Sequence, residues 1–180
     1  PPGAVDVTSA VGDVDGDGAP DQAVVYRNGA TWYVHVDLGN AAFGIETTFM
    51  PYNPGGTPGV FSVSDVGVAE EVIIVNTGFA LPGPVYGVWF VSGCQLFEAT
   101  LDGGSMDLWQ GTGASHSEGF DCNATGITFI EAYDVGGGSW EVRETPWAWV
   151  PGLGDFQSQA PSTYTTDMAT ALAAVGAGSC

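Results

Sequence analysis

The sequence predicts an all-β protein made of two antiparallel sheets of about four strands each, followed by a short C-terminal helix. Two observations lead to this fold class. Short runs rich in β-branched and aromatic residues recur along the chain, and turn residues separate them. Turn signals at Asn28-Gly29 and at residues 136–138 join several of these runs into hairpins. A helical pattern is confined to the tail.

The charge of the chain is almost entirely negative. The 180 residues include 21 acidic side chains but two basic ones, Arg27 and Arg143, which gives a formal net charge of −19 at pH 7. This field repels nucleic acids and anionic membrane surfaces, so neither is expected as a partner, whereas cations are. Because no run of about 18 apolar residues is present, we also expect no membrane insertion.

The most distinctive stretch is an acidic loop that begins at Asp13 and ends at Asp21. Ca²⁺ takes six to eight oxygen ligands, and such a loop supplies them from side chains at positions 1, 3, 5 and 9 and from a backbone carbonyl at position 7. Those positions hold Asp13, Asp15, Asp17, Asp21 and Ala19. The spacing therefore predicts Ca²⁺ as the cofactor and these five residues as its ligands.

The residues after the acidic loop distinguish the families that share it. An EF-hand needs a Glu at position 12 of the loop, where this chain has Val24. A dockerin-type loop opens a helix, but residues 22–28 are rich in β-branched and aromatic residues and predict a strand. A strand that leaves a D-x-D-G-D-G-x-x-D loop directly resembles the FG-GAP/VCBS repeats of integrin-α-like propellers and of secreted bacterial proteins. Residues 11–21 and the strand after them carry this resemblance.

In that family the equivalent aspartates bind Ca²⁺ in a loop between two strands of a propeller blade. The resemblance therefore implies the same role for Asp13, Asp15, Asp17 and Asp21. It also implies an extracellular or cell-surface protein with an adhesive or structural role.

The first repeat is expected to cover residues 11–60, after a flexible lead-in over residues 1–10. Its expected strands lie at residues 22–28, 31–37 and 45–49. The first two form a hairpin because Asn28-Gly29 is a strong turn signal. Residues 51–59 are expected to form a loop, since their prolines and glycines prevent regular pairing.

A degenerate second repeat is expected over residues 61–164. Its strand from Glu71 aligns with the strand from Asp21, at a spacing of 50 residues. Upstream of that strand, Asp65 and Glu71 alone keep potential ligand positions, so we interpret the repeat as a decayed copy that binds no ion. Chance similarity of two acidic strand starts is the alternative. Residues 101–121 predict a long loop, in which a short strand at residues 106–109 is the alternative. Later strands are expected at residues 84–92, 95–100, 127–133 and 139–149.

Residues 165–180 form the predicted C-terminal helix and tail, with the helix at 165–175. Two blade-like sheets cannot close a propeller, which needs roughly four or more blades. Either the sheets pack face to face as a sandwich, or several chains combine in one assembly that also covers exposed sheet edges.

The three cysteines predict one disulfide. Cys94 and Cys122 lie in turn-like settings, and we expect a bond between them because the acidic loop is typical of extracellular proteins. Two buried thiols are the alternative. Cys180 then has no partner within the chain. It is expected to be a free thiol, to pair with a second chain, or to have lost its partner through processing.

No catalytic arrangement is evident. The two histidines, His35 and His116, do not lie in a nucleophile elbow. Adjacent Glu70 and Glu71 point to opposite faces of a strand, so they cannot flank one bond. Two separated histidines and three scattered cysteines also make no zinc cluster. We therefore expect a non-catalytic protein.

Trp147 and Trp149 lie on one side of an extended segment and can stack on sugar rings. Packing of the same rings in the core or at a subunit interface is the alternative. The expected function is a secreted or cell-surface, calcium-binding structural or adhesive protein with a cell-surface partner. A self-assembling subunit of an extracellular filament or surface layer is one alternative, and a carbohydrate-binding module with a glycan partner is another.

Overall fold

A computed structural model of the protein describes residues 3–41, 44–52, 56–67, 71–81, 83–176 and 180. The strands are β1 (Val5–Gly12), β2 (Asp21–Asn28), β3 (Thr31–Asp37), β4 (Gly44–Phe49), β5 (Gly59–Asp65), β6 (Glu71–Ala80), β7 (Gly83–Ser92), β8 (Gln95–Glu98), β9 (Thr100–Leu101), β10 (Gly104–Ser105), β11 (Leu108–Trp109), β12 (Gly111–Thr112), β13 (His116–Asn123), β14 (Gly126–Gly136), β15 (Ser139–Val150), β16 (Asp155–Ser158) and β17 (Ser162–Asp167). The helix is α1 (Met168–Gly176). The predicted all-β fold class and short C-terminal helix are confirmed.

The strands of the described ranges belong to three sheets. The first sheet is an antiparallel meander in the order β1-β2-β3-β4. In the second sheet β5, β6 and β7 follow one another, and β8 and β11 both pair with β7. The third sheet is built on β13, β14 and β15, to which β16 and β17 add, while β9 pairs parallel with β16. The segment 61–164, predicted as one repeat with one sheet, is thus divided between the second and third sheets.

The second sheet lies between the other two and is buried on both faces. Successive residues of a strand point to opposite faces. Ile73, Val75 and Trp89 pack with residues of the first sheet. Their neighbours Ile74 and Val88 pack with residues of the third sheet. Burial on both faces explains why β6 and β7 are apolar runs without polar alternation.

The far face of the third sheet is covered by α1. Ala171 and Val175 of the helix pack on Ile130, Ala132 and Trp140 of the sheet. The layers are therefore the first sheet, the second sheet, the third sheet and the helix. Within the part of the chain that the structure describes, no helix is long and apolar enough to cross a membrane.

The helix begins at Met168, after the predicted start at Thr165. Asp167 sits at the N-cap, where its carboxylate accepts a hydrogen bond from the backbone N–H of Thr170 at 2.9 Å. Thr165 is instead part of β17, which pairs with β15. The cap residue therefore sets the boundary between strand and helix.

The predicted flexible lead-in is wrong for residues 5–10, which belong to β1. This strand pairs with β2, and the Thr8 hydroxyl accepts a hydrogen bond from the Val60 backbone N–H of β5 at 2.8 Å. The predicted loop at 101–121 also contains short strands, β9 to β12, and the start of β13. Parts of the predicted segments lie outside the described residues, namely 1–2, 42–43, 53–55, 68–70, 82 and 177–179.

The predicted disulfide between Cys94 and Cys122 is wrong. Cys122 of β13 is bonded to Cys180, and Cys94 is an exposed free thiol in the turn between β7 and β8. Nothing in the sequence shows that α1 folds back over the third sheet, and this packing is what returns the C-terminus to β13. The disulfide therefore fastens the end of the tail to the third sheet.

Replacing Cys122 with serine should lower the melting temperature by roughly 10 °C, because the bond joins positions 58 residues apart and restricts the unfolded chain by about 4 kcal/mol. Thermal melts followed by circular dichroism measure this effect. Cys94→Ser is the matched control and should leave the melt unchanged. A similar loss in both variants would contradict the pairing.

Candidate metal centre

The acidic loop connects β1 to β2 and has the expected backbone form. Gly16 and Gly18 have φ angles of 75° and 85°, a region that other residues rarely adopt. Asp21 is the first residue of β2 and pairs with Gly12 of β1. Strand pairing therefore closes the loop at its base.

Three of the four predicted carboxylates converge in the loop. One side-chain oxygen from each of Asp13, Asp15 and Asp21 lies within 4.8 Å of the other two, so this group can hold a metal ion. Asp17 lies outside this group. Its side chain is exposed, and its Oδ1 accepts a hydrogen bond from the Ala19 backbone N–H at 2.7 Å. The Ala19 carbonyl remains a predicted ligand.

Asp21 holds the loop in shape. Its side chain is buried, with 2% of the residue exposed. Its Oδ2 accepts a hydrogen bond from the Val14 N–H at 2.9 Å, and its Oδ1 accepts one from the Gly39 N–H at 2.8 Å. Gly39 follows β3, so Asp21 ties the acidic loop to the connection between β3 and β4. Each carboxylate oxygen retains a lone pair for a cation.

Asp13 carries the oxygen that most needs a cation. Its Oδ2 accepts a hydrogen bond from the Gly18 N–H at 2.9 Å. Its Oδ1 is buried and has no hydrogen-bond partner among the described residues. A buried carboxylate oxygen without a partner destabilises the fold. Coordination of a hard cation removes that penalty, so the donor set fits a metal ion with a preference for oxygen.

The carboxylates of the loop repel one another. The pKa of Asp15 is raised above its usual value, first because partial burial removes water from its carboxylate. The negative charges of Asp21, Asp17 and Asp13 raise this pKa further, while a hydrogen bond from the Asp17 backbone N–H lowers it. A bound cation would reverse this effect by favouring the ionised form of Asp15.

Glu71 joins the acidic loop to the second sheet, a contact that the sequence analysis did not identify. The Glu71 backbone N–H donates to the Asp13 carbonyl at 3.0 Å, and the Asp13 backbone N–H donates to the Glu71 carboxylate. Gly12 permits this approach, since a Cβ there would lie 2.3 Å from Glu71 Oε2. The one feature of the sequence that pointed to Glu71 was its spacing of 50 residues from Asp21, since both residues begin a strand.

The end of β5 has one hydrogen bond in common with the acidic loop. The Gly67 backbone N–H donates to Asp65 Oδ1 at 2.7 Å, as the Asp17 N–H donates to Asp15 Oδ1 at 3.2 Å in the acidic loop. Within the described ranges, Asp65 and Glu71 belong to no group of metal-ligating side chains. Glu71 therefore acts as a contact to the acidic loop, through its hydrogen bonds with Asp13.

The predicted sugar-stacking surface at Trp147 and Trp149 is wrong. The two residues are 7% and 8% exposed and belong to the core between the second and third sheets. The Trp147 ring stacks on Phe129 with 5.2 Å between ring centroids, and Trp149 packs edge-on to Phe90. Alternation correctly places both rings on one face, but the second sheet covers that face.

Comparisons of this chain with protein-family models, with curated proteins and with solved structures gave no match. The case for a metal ion therefore rests on the geometry of the acidic loop and its contacts. The resemblance to FG-GAP/VCBS repeats remains a prediction from the sequence.

Substituting Asp21 should destabilise the protein even without metal. In excess EDTA, Asp21→Ala should lower the free energy of unfolding by about 2–5 kcal/mol, because two backbone N–H groups lose their acceptor. Asp15→Ala should cost less than about 1 kcal/mol under the same conditions, since the carboxylate it removes is partly exposed and repelled by its neighbours. Urea denaturation followed by tryptophan fluorescence compares the two variants. Equal losses would show that the two aspartates do not differ in role.

Proposed function

We propose that this chain is a non-catalytic, calcium-binding β protein with a structural or adhesive role outside the cell or at its surface. The observation that carries the proposal is the convergence of Asp13, Asp15 and Asp21 around the unpartnered Oδ1 of Asp13. The acidic group offers oxygen atoms and negative charge, which are the ligands that a hard cation prefers.

Calcium suits this loop better than the other common divalent ions. Zn²⁺ and Cu²⁺ favour nitrogen and sulfur ligands, which the acidic loop lacks. Mg²⁺ requires near-octahedral geometry at short distances and gives up its water reluctantly. Ca²⁺ accepts irregular sets of oxygen ligands at about 2.3–2.6 Å, so small movements of exposed side chains such as Asp17 suffice to complete its coordination.

The ion would act by fixing the junction between the first two sheets. It neutralises the repulsion among the carboxylates and orders the backbone of the loop. Because Asp13 exchanges two hydrogen bonds with Glu71, an ordered loop also fixes the start of β6. The free energy of calcium binding is then partly free energy of folding.

The topology supports the resemblance to FG-GAP/VCBS repeats. The acidic loop joins the first two strands of a four-stranded antiparallel meander. A second set of consecutive antiparallel strands, β5 to β8, follows it and begins its second strand at Glu71. Adhesion is the part of the proposal that rests on this resemblance.

Two further features support an extracellular, non-catalytic role. The disulfide between Cys122 and Cys180 is typical of proteins that mature in an oxidising compartment. Among the described contacts, His35 and His116 lie beside carboxylates rather than beside a serine or cysteine nucleophile.

Calcium should raise the melting temperature of the EGTA-treated protein by roughly 5–10 °C at about 100 times its dissociation constant. Magnesium at the same concentration should have a smaller effect. Asp15→Ala should remove the calcium response, whereas Asp37→Ala, which removes an exposed carboxylate of the same sheet, should retain it. Differential scanning calorimetry measures all four cases. A melt that EGTA leaves unchanged would count against the site.

Self-association is a second candidate function, and one surface favours it. β1 is an edge strand, and its Val5, Val7 and Val11 are 46%, 58% and 64% exposed. β5 packs beside β1 through the contact of Thr8 with Val60, but the three valines stay exposed, and exposed apolar side chains favour contact with another protein surface. A second copy of the chain is the simplest partner for this edge.

If β1 mediates self-association, light scattering after size-exclusion chromatography should show oligomers that Val7→Lys dissociates. Leu81→Lys alters a residue that is 91% exposed in the turn after β6, and it should leave the oligomers intact. A monomer at every concentration tested would exclude this function.

A further inference from the structure

A second group of metal-ligating side chains lies on the third sheet. His116 and Glu118 belong to β13, and Glu131 belongs to β14. One ligand atom from each of the three lies within 4.8 Å of the other two. Glu118 stands directly opposite Glu131 across the antiparallel pair, and His116 stands opposite Tyr133. These four side chains therefore share one face of the sheet.

The same face is apolar further along these strands. Phe120 stands opposite Phe129, and both contribute to the core against the second sheet. Two positions along, the apolar pair is replaced by Glu118 and Glu131. Like charges that face each other across a strand pair repel. The face thus changes from a packed core to a pair of carboxylates, and the exposed Arg143 of β15 stands opposite Glu131 on the adjoining strand.

The imidazole of His116 is placed to bind a metal ion together with these two carboxylates. Its Nε2 is buried and has no hydrogen-bond partner among the described residues. The distance from Nε2 to Glu118 Oε1 is 3.4 Å. A tetrahedral zinc ion with ligands at about 2.1 Å keeps its ligand atoms about 3.4 Å apart. The two atoms already stand at the spacing that such an ion requires.

Tyr133 orients two of the three side chains. Its ring stacks on the His116 ring with 4.4 Å between centroids and 5° between planes. Its hydroxyl donates a hydrogen bond to Glu131 Oε1 at 2.5 Å, which leaves Glu131 Oε2 for a metal ion. Contacts of this kind commonly fix the ligands of metal sites in protein structures.

We propose that His116, Glu118 and Glu131 form a second metal site that takes a divalent transition-metal ion such as Zn²⁺. Zinc accepts a mixed set of imidazole nitrogen and carboxylate oxygen, whereas calcium prefers oxygen alone. Three protein ligands leave a coordination position for water or for a ligand from solution. The site differs from the acidic loop in its sheet, its donor atoms and the ion it selects.

The other histidine shows why the arrangement around His116 is specific. His35 also has two carboxylates nearby, with Asp37 Oδ1 at 3.0 Å from Nε2 and Glu46 Oε2 at 3.4 Å from Nδ1. These carboxylates face different ring nitrogens and do not converge on one point. His35 therefore serves as a matched control.

Zinc binding to the full chain tests the proposal, with saturating calcium present to occupy the acidic loop. Isothermal titration calorimetry should show one zinc ion bound per chain, and Co²⁺ bound in its place should give visible absorption bands. His116→Gln and Glu131→Gln should each weaken binding at least about 10-fold, and Tyr133→Phe about 10-fold. His35→Gln should bind zinc as the native chain does.

Thermal melts in EDTA identify any variant that does not fold. If His116→Gln is unfolded, the test relies on Glu131→Gln, which keeps an oxygen that accepts the hydrogen bond from Tyr133. The absence of saturable zinc binding overturns the proposal. Native affinity in His116→Gln and Glu131→Gln, or an equal loss in His35→Gln, also overturns it.

Discussion

The burial of the second sheet on both faces is the constraint on which the rest of the structure depends. Ile73 and Ile74 are neighbours on β6 and are both 0% exposed, yet they face opposite layers. Burial of each such side chain contributes roughly 1.5–3 kcal/mol. One covering layer would leave half of these residues in water, so the fold needs a sheet on each side. The third sheet is apolar on its far face as well, and α1 provides the layer that covers it.

The acidic loop lies at the contact between two of these layers. The backbone of Asp13 contacts Glu71 at the start of β6, so the loop lies where the first sheet meets the second. An ion bound to Asp13, Asp15 and Asp21 then acts on the joint between two layers. With a net charge of −19, the chain has few internal cations to balance this group, so a soluble cation would balance it.

The features that depend on short stretches of sequence were predictable, and those that depend on distant contacts were not. The acidic loop and the strands β2, β3 and β4 follow from local spacing and turn residues, whereas β1 was expected to be flexible. The partner of Cys122 depends on where α1 places the C-terminus, which no local pattern reveals. Alternation placed Trp147 and Trp149 on one face, but it does not show whether another sheet covers that face. Likewise, Glu131 joins His116 only through the register of β13 and β14.

The three sheets bury their apolar faces by stacking on one another. The two outer faces of the stack are covered in different ways. The helix closes the end at the third sheet by covering Ile130 and Trp140. At the other end, the outer face of the first sheet carries a stacked Tyr26–Tyr33 pair, and the Tyr26 hydroxyl donates to Glu46. Aromatic rings with polar tips tolerate water better than the aliphatic residues of the central sheet. Within the described residues, the stack therefore ends at the helix on one side and at this tyrosine pair, in which Tyr26 is 3% exposed, on the other.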